Sequence, residues 1–375
     1  MKLLIPGPVS TREEVRAAMA QDIAPWDNAF RAVYAGIRAR ICALAGGTPE
    51  SHMTLALPGS GHFAVEAAIR TFLPVGGRIL VPAVGSYADR MVRLAREAGR
   101  DAVTLAVDHN YPVQPALIAA ALAADPTISH VGLVYSETGS GVIHDPAAVG
   151  AVVRAAGRRM ILDAVSAFGA LPLDVSAMPE LDAMVFTANK CLEGTPGMSF
   201  TVAPLDRLAA CKGQAGSWSL DLADVYAQTL RLGPGSIRFT PPAQVIAAFA
   251  VALDLYDAEG GQPARLARYQ ANLDTLYRGM ESIGLTPTLS RAQQGPIVMN
   301  THAPDDAAWN LQAFVDGLKR HGYLISNFYN TPAPSFRVGC IGALTPEDMA
   351  GFVTAVDAVL VEIGVRNRAP AKRAA

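Results

Sequence analysis

The feature that most limits the fold is a series of short apolar runs in which hydrophobic and polar residues do not alternate. HMTLAL, RILVPA, HVGLVY, RMILDAV and AMVFTA are each followed by a turn-forming segment, and the first two then run into helix-patterned stretches, HFAVEAAIRTFL and YADRMVRLAREAG. A strand that is apolar on both faces needs cover on both faces, which repeated strand-turn-helix units supply around a mostly parallel sheet. The expected class is α/β. After Pro241-Pro242 the text changes to long helical stretches over 243–259 and 263–284, then to the strands GPIVMNTH and PSFRVGC with DAAWNLQAFVDGLKRHG between them. This predicts an N-terminal arm over 1–15, a large unit over 16–259 and a smaller α+β unit over 260–375, divided near the EGGQP turn.

Composition narrows the function. With 375 residues, 51% of them hydrophobic and 17% charged, the chain can bury a large core, and a net charge of -2 leaves no basic surplus for a nucleic acid backbone. The opening MKLLIPGPVS is stopped by Pro6-Gly7-Pro8, too soon for a signal-peptide core or a membrane span, so a soluble, cytoplasmic protein is expected. Cys42, Cys191, Cys211 and Cys340 are widely spaced and the seven histidines form no HxxxH pair. No metal site is expected, and the cysteines read as reduced, buried small hydrophobes.

Chemistry is suggested at the ends of the apolar runs, because ligands of open α/β sheets sit beyond the carboxyl ends of the strands. Lys190 follows AMVFTA within a few residues, although a lysine in a loop is ordinarily a solvated charge. Asp163 ends RMILD; it reads either as a helix cap or as the partner of a protonated ring nitrogen. The loop Pro58-Gly59-Ser60-Gly61-His62 lies between a strand and a helix. It satisfies G-x-G-x-x-A formally, but the next strand ends without the acid that would hold a ribose, which disfavours a nicotinamide dehydrogenase. A single-phosphate seat at a helix N-terminus and an ordinary turn both remain open. Tyr87 could stack on a planar ligand or pack into the core, and Thr138 could bond a phenolic oxygen or cap a turn. Arg337 sits between apolar neighbours in SFRVG, where its fork suits a carboxylate.

The ordered set GSGH, SETGSG, ILDAVSAFG, ANKCLEGTPG, RFTPP and SFRVG resembles the class V (fold type I) pyridoxal-phosphate aminotransferases. Trp26-Asp27, GSGHFAVEA, SETGSG, ANKC and LAACKGQAGSWSLDL resemble most closely the 2-aminoethylphosphonate:pyruvate transaminases within that family, over nearly the whole chain. The resemblance implies a homodimer with active sites at the subunit boundary and pyridoxal 5'-phosphate as cofactor. It implies that Lys190 holds the cofactor as a Schiff base and then shuttles a proton, and that Asp163 pairs with the pyridine nitrogen. Val165 would lie under the ring and Tyr87 above it. Ser60, Gly61 and His62 would seat the phosphate with Thr240 from the other subunit, Thr138 would touch the phenolic side, and Arg337 would bind the carboxylate of pyruvate or alanine. The implied reaction moves the amine of 2-aminoethylphosphonate to pyruvate, with an alanine/serine:glyoxylate aminotransferase of the same family as the alternative. Ile5, Ala88 and Gly139-Ser140 depart from the phosphonate enzymes' pattern and are expected at the pocket mouth.

Overall fold

The structure, a computed structural model, describes residues 1–329, 331 and 333–371. After the short β1 (Lys2–Leu3), the main sheet is built from β2 (His52–Pro58), β3 (Arg78–Pro82), β4 (Asp101–Leu105), β5 (Ile128–Val134), β6 (Arg159–Asp163), β7 (Leu181–Thr187) and β8 (Met198–Pro204). Their order across the sheet is β2-β8-β7-β6-β5-β3-β4. The strands from β7 to β4 are parallel. β8 runs antiparallel to both neighbours, so β2 points the same way as the parallel set. The sheet is therefore mixed at one edge, yet the carboxyl ends of β2, β6 and β7 open at one side.

Helices α1 (Glu13–Ala17) through α4 follow as α2 (Asn28–Leu44), α3 (Gly61–Phe72) and α4 (Ser86–Glu97). Next come α5 (Pro115–Ala124), α6 (Pro146–Ala155), α7 (Leu205–Ala210), α8 (Leu222–Leu232), α9 (Ala243–Glu259) and α10 (Gly261–Ser282). The smaller part contains β9 (Val298–His302), α11 (Leu311–Arg320), β10 (Tyr323–Leu324), β11 (Ser335–Gly339) and α12 (Pro346–Glu362). β9 and β11 pair antiparallel, and β1 pairs with β10.

Burial explains why the centre of the sheet was legible. Every residue of β7 is buried, as expected for a strand covered on both faces. Two strands lack that signal. DAVTL of β4 lies at an edge and mixes exposed with buried positions. MSFTVAP of β8 buries Ser199 and Thr201, polar residues that interrupt the apolar run.

Two hydrophobic cores organise these elements. The first fills the flanks of the main sheet and takes in Tyr269 of α10. The second holds Leu4 together with Leu273, Phe314, Phe336 and Phe352. The N-terminal arm joins both, since Leu4 is buried in the second core and Val9 in the first. The Leu4 N–H donates to Leu324 and its carbonyl accepts from Gly339, both at 2.8 Å. Residues 6–8 are thereby stretched across the carboxyl end of the sheet. No helix among the described residues is long and apolar enough to cross a membrane.

Candidate active site

Asp163 is the last residue of β6, and Lys190 stands three residues past the end of the neighbouring β7. Both side chains are more than nine-tenths buried. They line one cavity of about 450 Å³ together with Ser60, Gly61, His62, Tyr87 and Val165. Seven of the residues expected to hold a cofactor thus meet at one place, although they come from four separate segments.

A place suited to an anion follows from local geometry. A Cβ on Gly61 would lie 2.6 Å from Val165 Cγ2 and 3.2 Å from Thr187 Cγ2, so glycine lets α3 begin directly against β6 and β7. Ser60 is the N-cap, but its side chain makes no capping bond. Its hydroxyl and the first N–H groups of α3 are available for an anion, which the helix dipole also favours. Gly59, at φ +127°, supplies the turn, and its N–H donates to the Gly197 carbonyl at 2.8 Å.

Electrostatics mark the other end. Burial lifts the Asp163 carboxyl to about 6, opposed by a hydrogen bond from the Val165 N–H (2.9 Å to Oδ1) and by Lys190. Burial also pulls the Lys190 amine down to about 8, with Cys191 and Asp163 acting in the opposite direction and Arg337 assisting. The cavity therefore contains a buried acid short of a cation and an amine that is partly neutral near physiological pH.

Sequence reasoning missed how Lys190 is held. Its Nζ donates to the Pro6 carbonyl at 2.6 Å. A Cβ on Gly7 would lie 2.5 Å from Lys190 Nζ, and Gly7 and Pro8 form part of the cavity wall. The signal that the sequence carries for this contact is the punctuation Pro6-Gly7-Pro8. Below Lys190, Arg265 donates to the Cys191 carbonyl, while Arg268 and Tyr269 donate to Glu193 Oε1 at 2.6 and 2.8 Å. Glu193 has φ +56°, so this buried network holds a strained turn beside the lysine. Cys191 is fully buried with its Sγ 3.6 Å from the Ser166 carbonyl, as expected of a core cysteine.

Three expected residues lie outside the cavity wall. Arg337 and Thr138 meet each other: Arg337 Nη1 donates to the Thr138 carbonyl at 3.0 Å, and its Nε to Ser326 Oγ at 3.3 Å. A second chamber of about 530 Å³ lies alongside, walled in part by Gly85, Glu137, Gly139, Ser140 and His302. Thr240 is exposed, next to the left-handed Phe239, and one chain does not bring it to the cavity. The departures divide in the same way. Gly139 and Ser140 line the second chamber, whereas Ala88 is buried in the core beneath α4, which corrects its expected place at the mouth. Ile5 is half-buried.

A lysine, an acid and a helix N-terminus around one cavity fit a phosphorylated aldehyde with a basic ring. The sequence profile of the class-V aminotransferases matches residues 14–316. The chain belongs to the class-V aminotransferase family. It is 41% identical to a 2-aminoethylphosphonate–pyruvate transaminase of Burkholderia ambifaria, over 97% of this chain and 96% of that protein. Identity to a protein of the same name from Cupriavidus necator is 39%, over 100% of this chain and 98% of the relative. Among solved structures, pyridoxamine-pyruvate aminotransferase from Mesorhizobium loti shares the fold with a TM-score of 0.88 at 25% identity, covering 98% of this chain and 93% of that one. As in other mostly parallel α/β proteins, this class-V aminotransferase opens its cavity at the carboxyl ends of the strands.

Proposed function

We propose that this chain is a pyridoxal-phosphate-dependent transaminase that moves the amine of 2-aminoethylphosphonate to pyruvate, giving phosphonoacetaldehyde and L-alanine. The observation that carries the reading is the convergence of Lys190, Asp163 and the uncapped start of α3 on one cavity. The two relatives near 40% identity supply the substrates.

The residues fit the cofactor. The glycine at 61 leaves the space that a Cβ would fill, and the first turn of α3 offers its N–H groups to a phosphate. Ser60, Gly61 and His62 would seat that phosphate, Val165 and Tyr87 would enclose the ring, and Thr138 would reach its phenolic side. When bound, pyridoxal phosphate supplies an electron sink for the pair released as the substrate's carbon–hydrogen bond breaks. Asp163, ionised at neutral pH, would keep the ring nitrogen protonated. Lys190 would hold the cofactor through its Nζ, and when free that amine would be the base beside the proton that must move. A proton affinity near 8 suits both tasks, because the amine can accept a proton and return it at neutral pH. Arg337 takes the carboxylate of pyruvate and then of alanine.

A homodimer completes this reading. Phe239 and Trp218 are exposed, with ring centroids 5.1 Å apart, and Thr240 adjoins them. This supports a surface from which Thr240 of the partner subunit reaches the phosphate. The test is to supply the purified holoenzyme with 2-aminoethylphosphonate and pyruvate and to measure alanine and phosphonoacetaldehyde. Turnover of alanine with glyoxylate, and none of the phosphonate amine, would instead assign an alanine/serine:glyoxylate aminotransferase.

A further inference from the structure

Next to the anion seat proposed for Arg337 is a carboxyl that the reaction above does not use. Glu137 is 0% exposed; its Oε1 accepts from the Gly139 N–H at 2.7 Å, and its Oε2 has no hydrogen bond of normal geometry among the described residues. No cation lies within ion-pair distance of it among the described residues. A Cβ on Gly85 would sit 2.6 Å from the Glu137 carboxyl carbon, so the start of α4 is kept clear for this group. The residue after Glu137 supplies the carbonyl that holds Arg337 Nη1. Among the described residues that guanidinium has uncharged partners, the Thr138 carbonyl, the Ser326 hydroxyl and the Phe328 ring at 5.2 Å.

We propose that Glu137 is a positioning residue that balances the charge of Arg337, ionised while the guanidinium is free and protonated when a substrate carboxylate or phosphonate occupies it. The inference rests on Arg337 being the substrate's anion seat. A buried cation without a partner is costly, and an ionised Glu137 close by reduces that cost. When a second anion arrives, two negative charges share one low-dielectric region, and a solvent proton on the Glu137 carboxyl removes the conflict. The group is poised for this exchange, because burial already lifts it to about 7. Asp163 on β6 pushes it upward, while the N–H of Gly139, the N–H of Tyr87 on α4, and Arg337 on β11 pull it down. His109 and His302 are the further titratable groups in the wall of the same chamber.

The sign follows from linkage. Proton affinity is higher in the complex, so anion affinity is greatest at low pH and falls as pH rises through about 7. It levels off once the pH exceeds the value in the complex. The experiment uses the holoenzyme with pyruvate and no amine donor, so that binding occurs without turnover. Calorimetry in buffers of different ionisation enthalpy counts the protons, and cofactor absorbance separately reports any proton that moves on the cofactor. Wild type is expected to take up about half a proton to one proton near pH 7.5, and its Kd to weaken about tenfold between pH 6.5 and 9. Glu137→Gln, which imitates the protonated form, is expected to show neither effect and to keep the tight low-pH Kd. Identical proton uptake and pH slope in wild type and Glu137→Gln would overturn the proposal, and so would a flat Kd in wild type, a result that needs no variant. Pyruvate binding that is indifferent to Arg337→Met would instead refute the anion seat itself, and the proposal with it.

Discussion

Replacing Asp163 by Asn should change stability and cofactor affinity in opposite directions. Burial raises this carboxyl from 3.8 to about 6, so the native protein binds its proton more tightly than the unfolded chain does. Stability from this group therefore falls as pH rises between those values, and above pH 6 the ionised acid carries the whole penalty. The penalty is about 3 kcal/mol at pH 8 and roughly half of that at pH 5. Asn keeps an oxygen able to accept the Val165 N–H without the buried charge. For a chain of this size, relief of up to about 3 kcal/mol raises the melting temperature by up to about 4 °C. The cofactor-free variant is expected to melt above wild type at pH 8, with a smaller gain at pH 5. Pyridoxal phosphate affinity should move the other way, weakening about tenfold or more, because the ionised group proposed to pair with the ring nitrogen is lost. Thermal melts of the cofactor-free proteins at both pH values and a cofactor titration measure the two signs. A variant that melts below wild type at pH 8, or that binds the cofactor as wild type does, would refute the claim that Asp163 is a destabilising charge held ready for a cation.

Lys190, lowered from 10.5 to about 8, should capture pyridoxal phosphate at a rate that rises with pH and levels off near 8. A stopped-flow series that keeps climbing tenfold per pH unit beyond 9 would show an ordinary lysine. Gly61→Ala places a methyl 2.6 Å from Val165 Cγ2, and overpacking of this kind costs about 1–3 kcal/mol. Cofactor titration should show affinity weakened about fivefold or more, with circular dichroism unchanged. Arg268→Met leaves Glu193 buried with less compensation, since only the longer 3.4 Å contact to Arg265 remains among its ion pairs. Denaturant melts should show a loss of about 3 kcal/mol.

The sheet could be read from the sequence because its central strands are apolar on both faces, and for the same reason β4 and β8 could not. β4 is an edge strand with exposed positions, and β8 buries hydroxyls. Lys190, Asp163 and the Ser60–His62 turn were legible because each follows directly on an apolar run, so strand topology alone carries them to a common edge. Pro6 and Gly7 were not, because their place against Lys190 depends on Leu4 and Val9 being anchored in two different cores. Ala88 was misplaced because the side on which a helix residue faces is set by packing, here by α4 turning it inward. Glu137 follows an apolar run in the sequence, but its burial without a nearby ion pair and the clearance at Gly85 exist only in three dimensions.

The most direct test of the central claim is to reduce the cofactor-loaded enzyme with borohydride and map the pyridoxyl adduct by peptide mass spectrometry. The chain has five lysines, and Lys190 is the buried one among the described residues. One adduct per chain on Lys190, absent in Lys190→Ala, is the expected result. Stoichiometric labelling of Lys2, Lys212, Lys319 or Lys372 in its place, or no adduct at all, would contradict the account.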